Sequence, residues 1–210
     1  MTNGHTRVVF ATGNRDKLRE IREILAEAGV EVPVLTMKEA GVTEEIEENG
    51  TTFEENAMIK ARAVAAALRR EAQEEMETIV LADDSGLVID ALDGAPGIYS
   101  ARYLGHDTPY SEKNAKILQQ LEDVPEAERS ARFVCAIAAV LPDGGTEVTR
   151  GVMEGRISHE IAGSGGFGYD PIFYLPEAGK TSAELTEEEK NAVSHRGKAL
   201  RAMAELLFQK

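Results

Sequence analysis

The sequence predicts an α/β fold, a long mixed sheet with helices around it, arranged as two lobes with a cleft. Three observations predict it. The chain opens strand–helix–strand, the order that leads into an α/β sheet. Two apolar runs, Ile79–Ala82 and Ala131–Leu141, read as buried strands, and the second ends in a hairpin turn. Helical spacing of apolar residues recurs between the strands and near the C-terminal end.

The elements follow in order. Arg7–Thr12 (RVVFAT) is an apolar run entering a turn at Gly13-Asn14, the pattern of a buried strand. Lys17–Ala28 carries Leu18, Ile21, Leu25 and Ala28 at helical spacing and stops at Gly29. Glu31–Leu35 is a second strand. After an acidic loop, Thr43–Gly50, Thr51 or Thr52 can cap a long helix reaching about Glu71. Ile79–Ala82 runs into Asp83-Asp84-Ser85-Gly86, which reads as a turn, and Leu87–Leu92 is a further strand. Ser111–Leu121 is helical, and Ala131–Leu141 is a central strand. Pro142-Asp143-Gly144-Gly145 turns it into Thr146–Ile157. Gly163–Gly168 is too glycine-rich for either element, and Ile172–Leu175 is a short apolar run after it. Thr186 and Glu189 have capping-box spacing ahead of a C-terminal helix with Ala199, Leu200, Met203 and Leu207 on one face.

Length and charge narrow the function. With 210 residues, 42% of them hydrophobic, the chain is long enough for a real core and reads as one domain over 1–210. Met1–Thr6 is a short flexible extension. Twenty-three Lys+Arg against 37 Asp+Glu give a net charge of −14, which disfavours binding to nucleic acid or to anionic lipid. No apolar run approaches membrane-spanning length. The N-terminal residues lack an apolar signal region, and the single cysteine, Cys135, cannot form an internal disulfide, so the expected compartment is the cytoplasm.

Five constellations carry candidate chemistry. Thr12-Gly13-Asn14-Arg15-Asp16-Lys17 joins a strand to a helix, where glycine admits a ligand and free N–H groups face phosphate oxygens; it equally suits an ordinary turn. Asp83 and Asp84 sit where open α/β sheets place ligands, and adjacent desolvated carboxylates call for a cation such as Mg2+. Most of Glu44, Glu45, Glu47 and Glu48 must be solvated surface, though one can complete a metal site with Asp84. Gly163–Asp170 (GSGGFGYD) offers aromatics suited to stacking on a base, or to a hairpin core. Lys190, Ser194, His195 and Arg196 are solvated face or donors to carbonyl and phosphate oxygens.

Three look-alikes fail. Gly163–Gly168 matches G-x-G-x-x-G but no helix pattern follows it. Gly179-Lys180-Thr181 ends like a P-loop, yet Tyr174 stands at the required glycine. Arg22–Val30 resembles the end of a Nudix box, whose pattern breaks at Ala26 and, upstream, at Asn14 and Val8.

Together the segments FATGNRDK, GTTFEENAMIKA, LADDSGLVIDALDGAPGIYSARY, GSGGFGYDPIF and LTEEEKNAVSHRGKAL resemble the inosine triphosphate pyrophosphatase family. Each is weak alone, but five in the family's order, from Arg7 to Met203, are specific. The resemblance implies a curved mixed sheet in two lobes around a substrate cleft, a homodimer, and Mg2+-dependent hydrolysis of ITP, dITP and XTP to monophosphate and pyrophosphate. Thr12 to Lys17 match the segment that contacts the triphosphate. Asp84 matches the catalytic base and metal-associated residue, Ser85 a substrate contact, and Glu47 the acidic metal ligand. Asn56 and Lys60 match residues on the phosphate side of the cleft. Phe167, Gly168, Tyr169 and Asp170, then Lys190, His195 and Arg196, match its later substrate contacts. On this reading Asp84, helped by Asp83 and Glu47, holds Mg2+ and activates water, while Lys17, Lys60 and Lys190 offset the triphosphate charge.

Overall fold

The strands run β2-β1-β3-β4-β5-β6-β7 across one mixed sheet. They are β1 (Thr6–Phe10), β2 (Val34–Thr36), β3 (Glu77–Ile89), β4 (Ser130–Val140), β5 (Thr146–Ile157), β6 (Phe173–Leu175) and β7 (Lys180–Thr181). The helices are α1 (Arg15–Glu27), α2 (Phe53–Glu71), α3 (Tyr110–Gln120), α4 (Glu187–Val193) and α5 (His195–Phe208). This is a computed structural model, and it describes residues 6–12, 15–71 and 77–208, the side chains of residues 15, 16 and 71 apart. β1 pairs in parallel with β2 and β3, whereas β6 pairs antiparallel with β5 and β7, so the sheet is mixed as expected.

Local chemistry explains the boundaries. α1 ends in a Schellman motif: Val30 N–H donates to Leu25 O at 2.9 Å and Gly29 N–H to Ala26 O at 3.0 Å. Gly29 adopts φ +76°, which glycine takes without a Cβ penalty. β2 starts later than expected because Pro33 has no N–H to give a ladder, though its carbonyl accepts from Val8 N–H at 2.8 Å. Thr52 Oγ1 caps α2 by accepting from Glu55 N–H at 3.1 Å. Acidic Glu54 and Glu55 in its first turn and basic Arg69 and Arg70 in its last complement the helix dipole.

Two expectations need correction. Asp83–Gly86 is not a turn, because β3 runs unbroken from Glu77 to Ile89 and the two expected strands are one. Both aspartates find cationic partners on neighbouring helices, and tertiary pairing overrides their turn propensity. Thr6 is not part of an extension, since it opens β1 and pairs with Glu77. Residues 1–5, and 72–76 of the acidic stretch before β3, lie outside the described residues.

The chain divides into two compact units. The first holds residues 1–84, 135–151 and 196–210; the second holds 85–134 and 152–195. In the first, Leu18, Ile21, Ile24 and Leu25 of α1 and Ala199, Leu200 and Met203 of α5 pack with Ile79 and Leu81 of β3 and with Ile137 of β4. In the second, Ile117 and Leu121 pack with Leu87, Phe133, Met153, Tyr169 and Phe173.

Candidate functional site

The first unit gathers a charged cluster around the middle of β3. Successive side chains of a strand point to opposite faces, so adjacent Asp83 and Asp84 meet different neighbours. Asp83 shares its direction with Ile79 and Leu81, toward α1 and α5. There it accepts from Lys17 Nζ at 2.9 Å, and Arg196 Nε lies 3.6 Å away. Arg196 is itself held by Glu20 of α1, and both side chains are buried. Asp84 points the other way, toward α2. Its Oδ2 accepts from Asn56 Nδ2 at 3.1 Å, and Lys60 Nζ is 3.9 Å from Oδ1. Asn56 and Lys60 are four residues apart on α2, hence on one helix face. Lys60 also donates to Glu48 Oε2 at 3.0 Å, so one ammonium stands between two carboxylates.

The two aspartates titrate in opposite senses. Burial opposes ionisation of Asp83, but Lys17, Arg196 and Lys60 together outweigh it and hold the carboxyl well below the usual range. For Asp84 burial dominates. Lys60 and Asn56 offset it in part, Glu48 and Asp83 add to it, and the carboxyl is pushed up to about 6. A desolvated carboxylate with a second carboxylate nearby and one shared lysine is a hard-oxygen donor set carrying surplus negative charge, which fits Mg2+. Among the described residues no three His, Cys, Asp or Glu converge as a metal cage.

A stability difference follows. In EDTA at pH 7, Asp84→Asn should be more stable than the parent protein by about 1–3 kcal/mol, because ionised Asp84 is desolvated. Folding raises this carboxyl above its unfolded value, so Asp84 contributes stability that is full below about pH 4 and lost as pH rises through about 6. Urea titrations of both proteins should therefore converge near pH 4. A gap unchanged between those pH values would mean that Asp84 titrates normally.

The second unit holds the glycine-rich loop. Phe167 N–H donates to Asp170 Oδ2 at 2.8 Å, and Lys190 Nζ donates to the same oxygen at 2.6 Å. The Lys190 ammonium also lies 4.9 Å from the centre of the Phe167 ring, a cation–π contact. Gly166 has φ +68°, and a Cβ there would collide with the Asp170 carboxylate, so any other residue would strain the backbone and displace that carboxylate. Lys190 is placed by α4, whose start is a capping box between Thr186 and Glu189. The helical run then breaks at Ser194, and α5 restarts with His195 and Arg196. His195 stacks on Phe133, with ring centres 4.9 Å apart.

The structure thus groups Lys17, Asp83 and Arg196 on one side of β3 and Asn56, Lys60 and Asp84 on the other. It groups Phe167, Asp170 and Lys190 around one carboxylate. Ser85 follows Asp84, half-buried in β3, and Thr12 is buried beyond the end of β1. Gly13 and Asn14, and the side chains of Arg15 and Asp16, lie outside the described residues. Glu47 is exposed, and its neighbour Glu48 is the one that meets Lys60. Sequence reasoning missed Glu20 and could not choose Glu48 within its loop. It also passed over Asn114, although a polar residue three positions before the core residue Ile117 is a readable signal.

Fold and cluster define a mixed-sheet α/β protein with a buried aspartate on each face of one strand, each facing a cationic side chain. The chain belongs to the Ham1 family, which its residues 8–206 match. It is 49% identical over 203 residues to a dITP/XTP pyrophosphatase of Yersinia pseudotuberculosis, covering 96% of this chain and 98% of that protein. It is 47% identical over 199 residues to a dITP/XTP pyrophosphatase of Geobacillus kaustophilus, covering 94% and 92%. Among solved structures, a HAM1 protein from Coxiella burnetii superposes with a TM-score of 0.83 at 42% identity, covering 98% of this chain and all of that one. The family resemblance carried by the five motifs is borne out.

Proposed function

We propose that this protein is a Mg2+-dependent nucleoside triphosphate pyrophosphatase. It would hydrolyse non-standard purine nucleotides (ITP, dITP and XTP) to the monophosphate and pyrophosphate. The observation that carries the reading is the buried Asp84 carboxylate, held by Asn56 and Lys60 beside Glu48. The names of the relatives, dITP/XTP pyrophosphatase, supply the substrate class. The motif resemblance adds the homodimer, and the single cysteine, Cys135, suits a cytoplasmic setting.

Asp84 with a carboxylate of the acidic loop, Glu47 or Glu48, would hold the Mg2+. Bound there, Mg2+ would neutralise phosphate oxygens and stabilise charge developing on the leaving pyrophosphate. The chain's own residues do the rest. Asp84 accepts a proton from the attacking water, a role suited to a carboxylate that is ionised at neutral pH. Lys17, Lys60 and Lys190, with the N-terminal end of α1, offset triphosphate charge in a protein whose net charge is −14. Phe167 stacks on the purine and adds affinity for any base. His195 and Arg196 donate to the six-position carbonyl of hypoxanthine or xanthine, with Arg196 anchored on Glu20. Adenine carries an amino donor there, and each mismatched buried donor costs about 1–3 kcal/mol, roughly ten- to hundredfold in discrimination.

The test is pyrophosphate release from ITP, dITP, XTP, ATP and GTP, with Mg2+ and with EDTA. Turnover of the first three well above ATP and GTP, abolished by EDTA, is expected. Equal turnover of all five would overturn the base assignment, and tight binding without pyrophosphate would overturn the hydrolase.

A further inference from the structure

We infer that Asn114 is a positioning residue that fixes the Phe167–Asp170 loop from beneath, and that the affinity of the enzyme for its purine substrates depends on it. Tyr110, Lys113 and Asn114 stand at i, i+3 and i+4 on α3 and so present one face. That face carries the loop. Asn114 Nδ2 donates to Gly168 O at 3.1 Å. Gly168 takes φ +71°, a backbone conformation that favours glycine, and it faces the Tyr110 ring, where a methyl group would make ordinary contact at 3.5 Å. Tyr110 meets Tyr169 edge to face, with ring centres 5.1 Å apart.

Two further contacts set the platform. Lys113, buried to 1% exposure, holds its ammonium 4.8 Å from the centre of the Tyr110 ring and donates to Ala101 O at 2.6 Å. Tyr169 reaches the same 3-10 segment, Gly97–Arg102, donating from its hydroxyl to Ser100 O at 2.8 Å. The loop is therefore gripped at successive residues: Phe167 through its N–H on Asp170, Gly168 through its carbonyl on Asn114, and Tyr169 through its hydroxyl on Ser100.

Asn114 is a costly choice for stability alone. The side chain is buried to 3% exposure and its Oδ1 has no hydrogen-bond partner among the described residues. A buried, half-satisfied amide opposes folding, and a residue kept for packing would be apolar. What the amide does supply is one directed donor at the middle residue of the loop. Fixing the Gly168 carbonyl fixes the peptide plane next to Phe167, and with it where that ring is presented.

The consequence rests on the proposal that Phe167 meets the purine, and the experiment separates the two. Asn114→Asp keeps the shape but sets an acceptor against the Gly168 carbonyl, whereas Asn114→Leu removes donor and unpaired acceptor together at similar size. In both, amide exchange across residues 163–173 should quicken about tenfold, while that of α3 and the thermal midpoint of the Leu variant stay near the parent values. KM for dITP should rise roughly tenfold, the size of one lost directed hydrogen bond, with kcat within about twofold. Unchanged loop exchange, or kcat falling together with the thermal midpoint in both variants, would overturn the inference. If the parent protein releases no pyrophosphate from dITP, the functional reading fails and loop exchange alone decides this one.

Discussion

Asp84→Asn should lower pyrophosphate release from dITP by about 10²–10⁴-fold in kcat, the range that a positioned general base supplies. The substitution keeps the shape, and an amide oxygen can still accept from Asn56 Nδ2, which lies 3.1 Å from Asp84 Oδ2. The negative charge and the proton-accepting lone pair are what it removes. The loss of a desolvated charge does not itself weaken the fold, because without metal the variant should be the more stable protein at neutral pH. Lys60 remains on Glu48, so phosphate-side charge is largely kept and KM should move far less than kcat. Steady-state kinetics at saturating Mg2+ would decide it. A variant within a few-fold of the parent would remove Asp84 from the chemistry.

Glu20→Ala should be among the most damaging substitutions for the fold, although Glu20 belongs to no recognised motif. Arg196 is 2% exposed, and burial alone would favour its neutral form. Glu20 and Asp83 outweigh that and keep the guanidinium charged. Removing Glu20 strips this buried guanidinium of one of its two named carboxylate partners, leaving Asp83 at 3.6 Å, and breaking a buried ion pair costs about 3–5 kcal/mol. In a chain of this length that lowers the thermal midpoint by roughly 10 °C. Glu20→Gln, which keeps an acceptor for Arg196, should cost less. Glu44→Ala is the control: Glu44 meets Arg70 at 3.6 Å with both side chains about two-thirds exposed, and solvent screens such a pair. Thermal unfolding in EDTA compares all three, and equal midpoints for Glu20→Ala and Glu44→Ala would show that Glu20 holds nothing in place.

What could be read along the chain was local. Helical spacing located α1, α2 and α3, the Thr186–Glu189 box located the start of α4, and Gly29 marked the end of α1. Each depends on residues three to five apart, where backbone geometry alone decides who meets whom. Asn56 and Lys60 came from the motif resemblance, and their spacing of four residues puts them on one helix face. The motifs also named the family, because their order survives in the sequence whatever the fold does with them. Tertiary structure decided the rest. Asp83-Asp84 looks like a turn until Lys17 and Lys60 are brought to opposite faces of β3, and then it is the middle of a strand. Lys17 and Asp83 are 66 residues apart in sequence, and Arg196 and Glu20 are 176 apart. No periodicity spans such separations. Partner choice at that range is set by how sheet and helices pack, and so is the burial that raises one aspartate's pKa while cations lower its neighbour's.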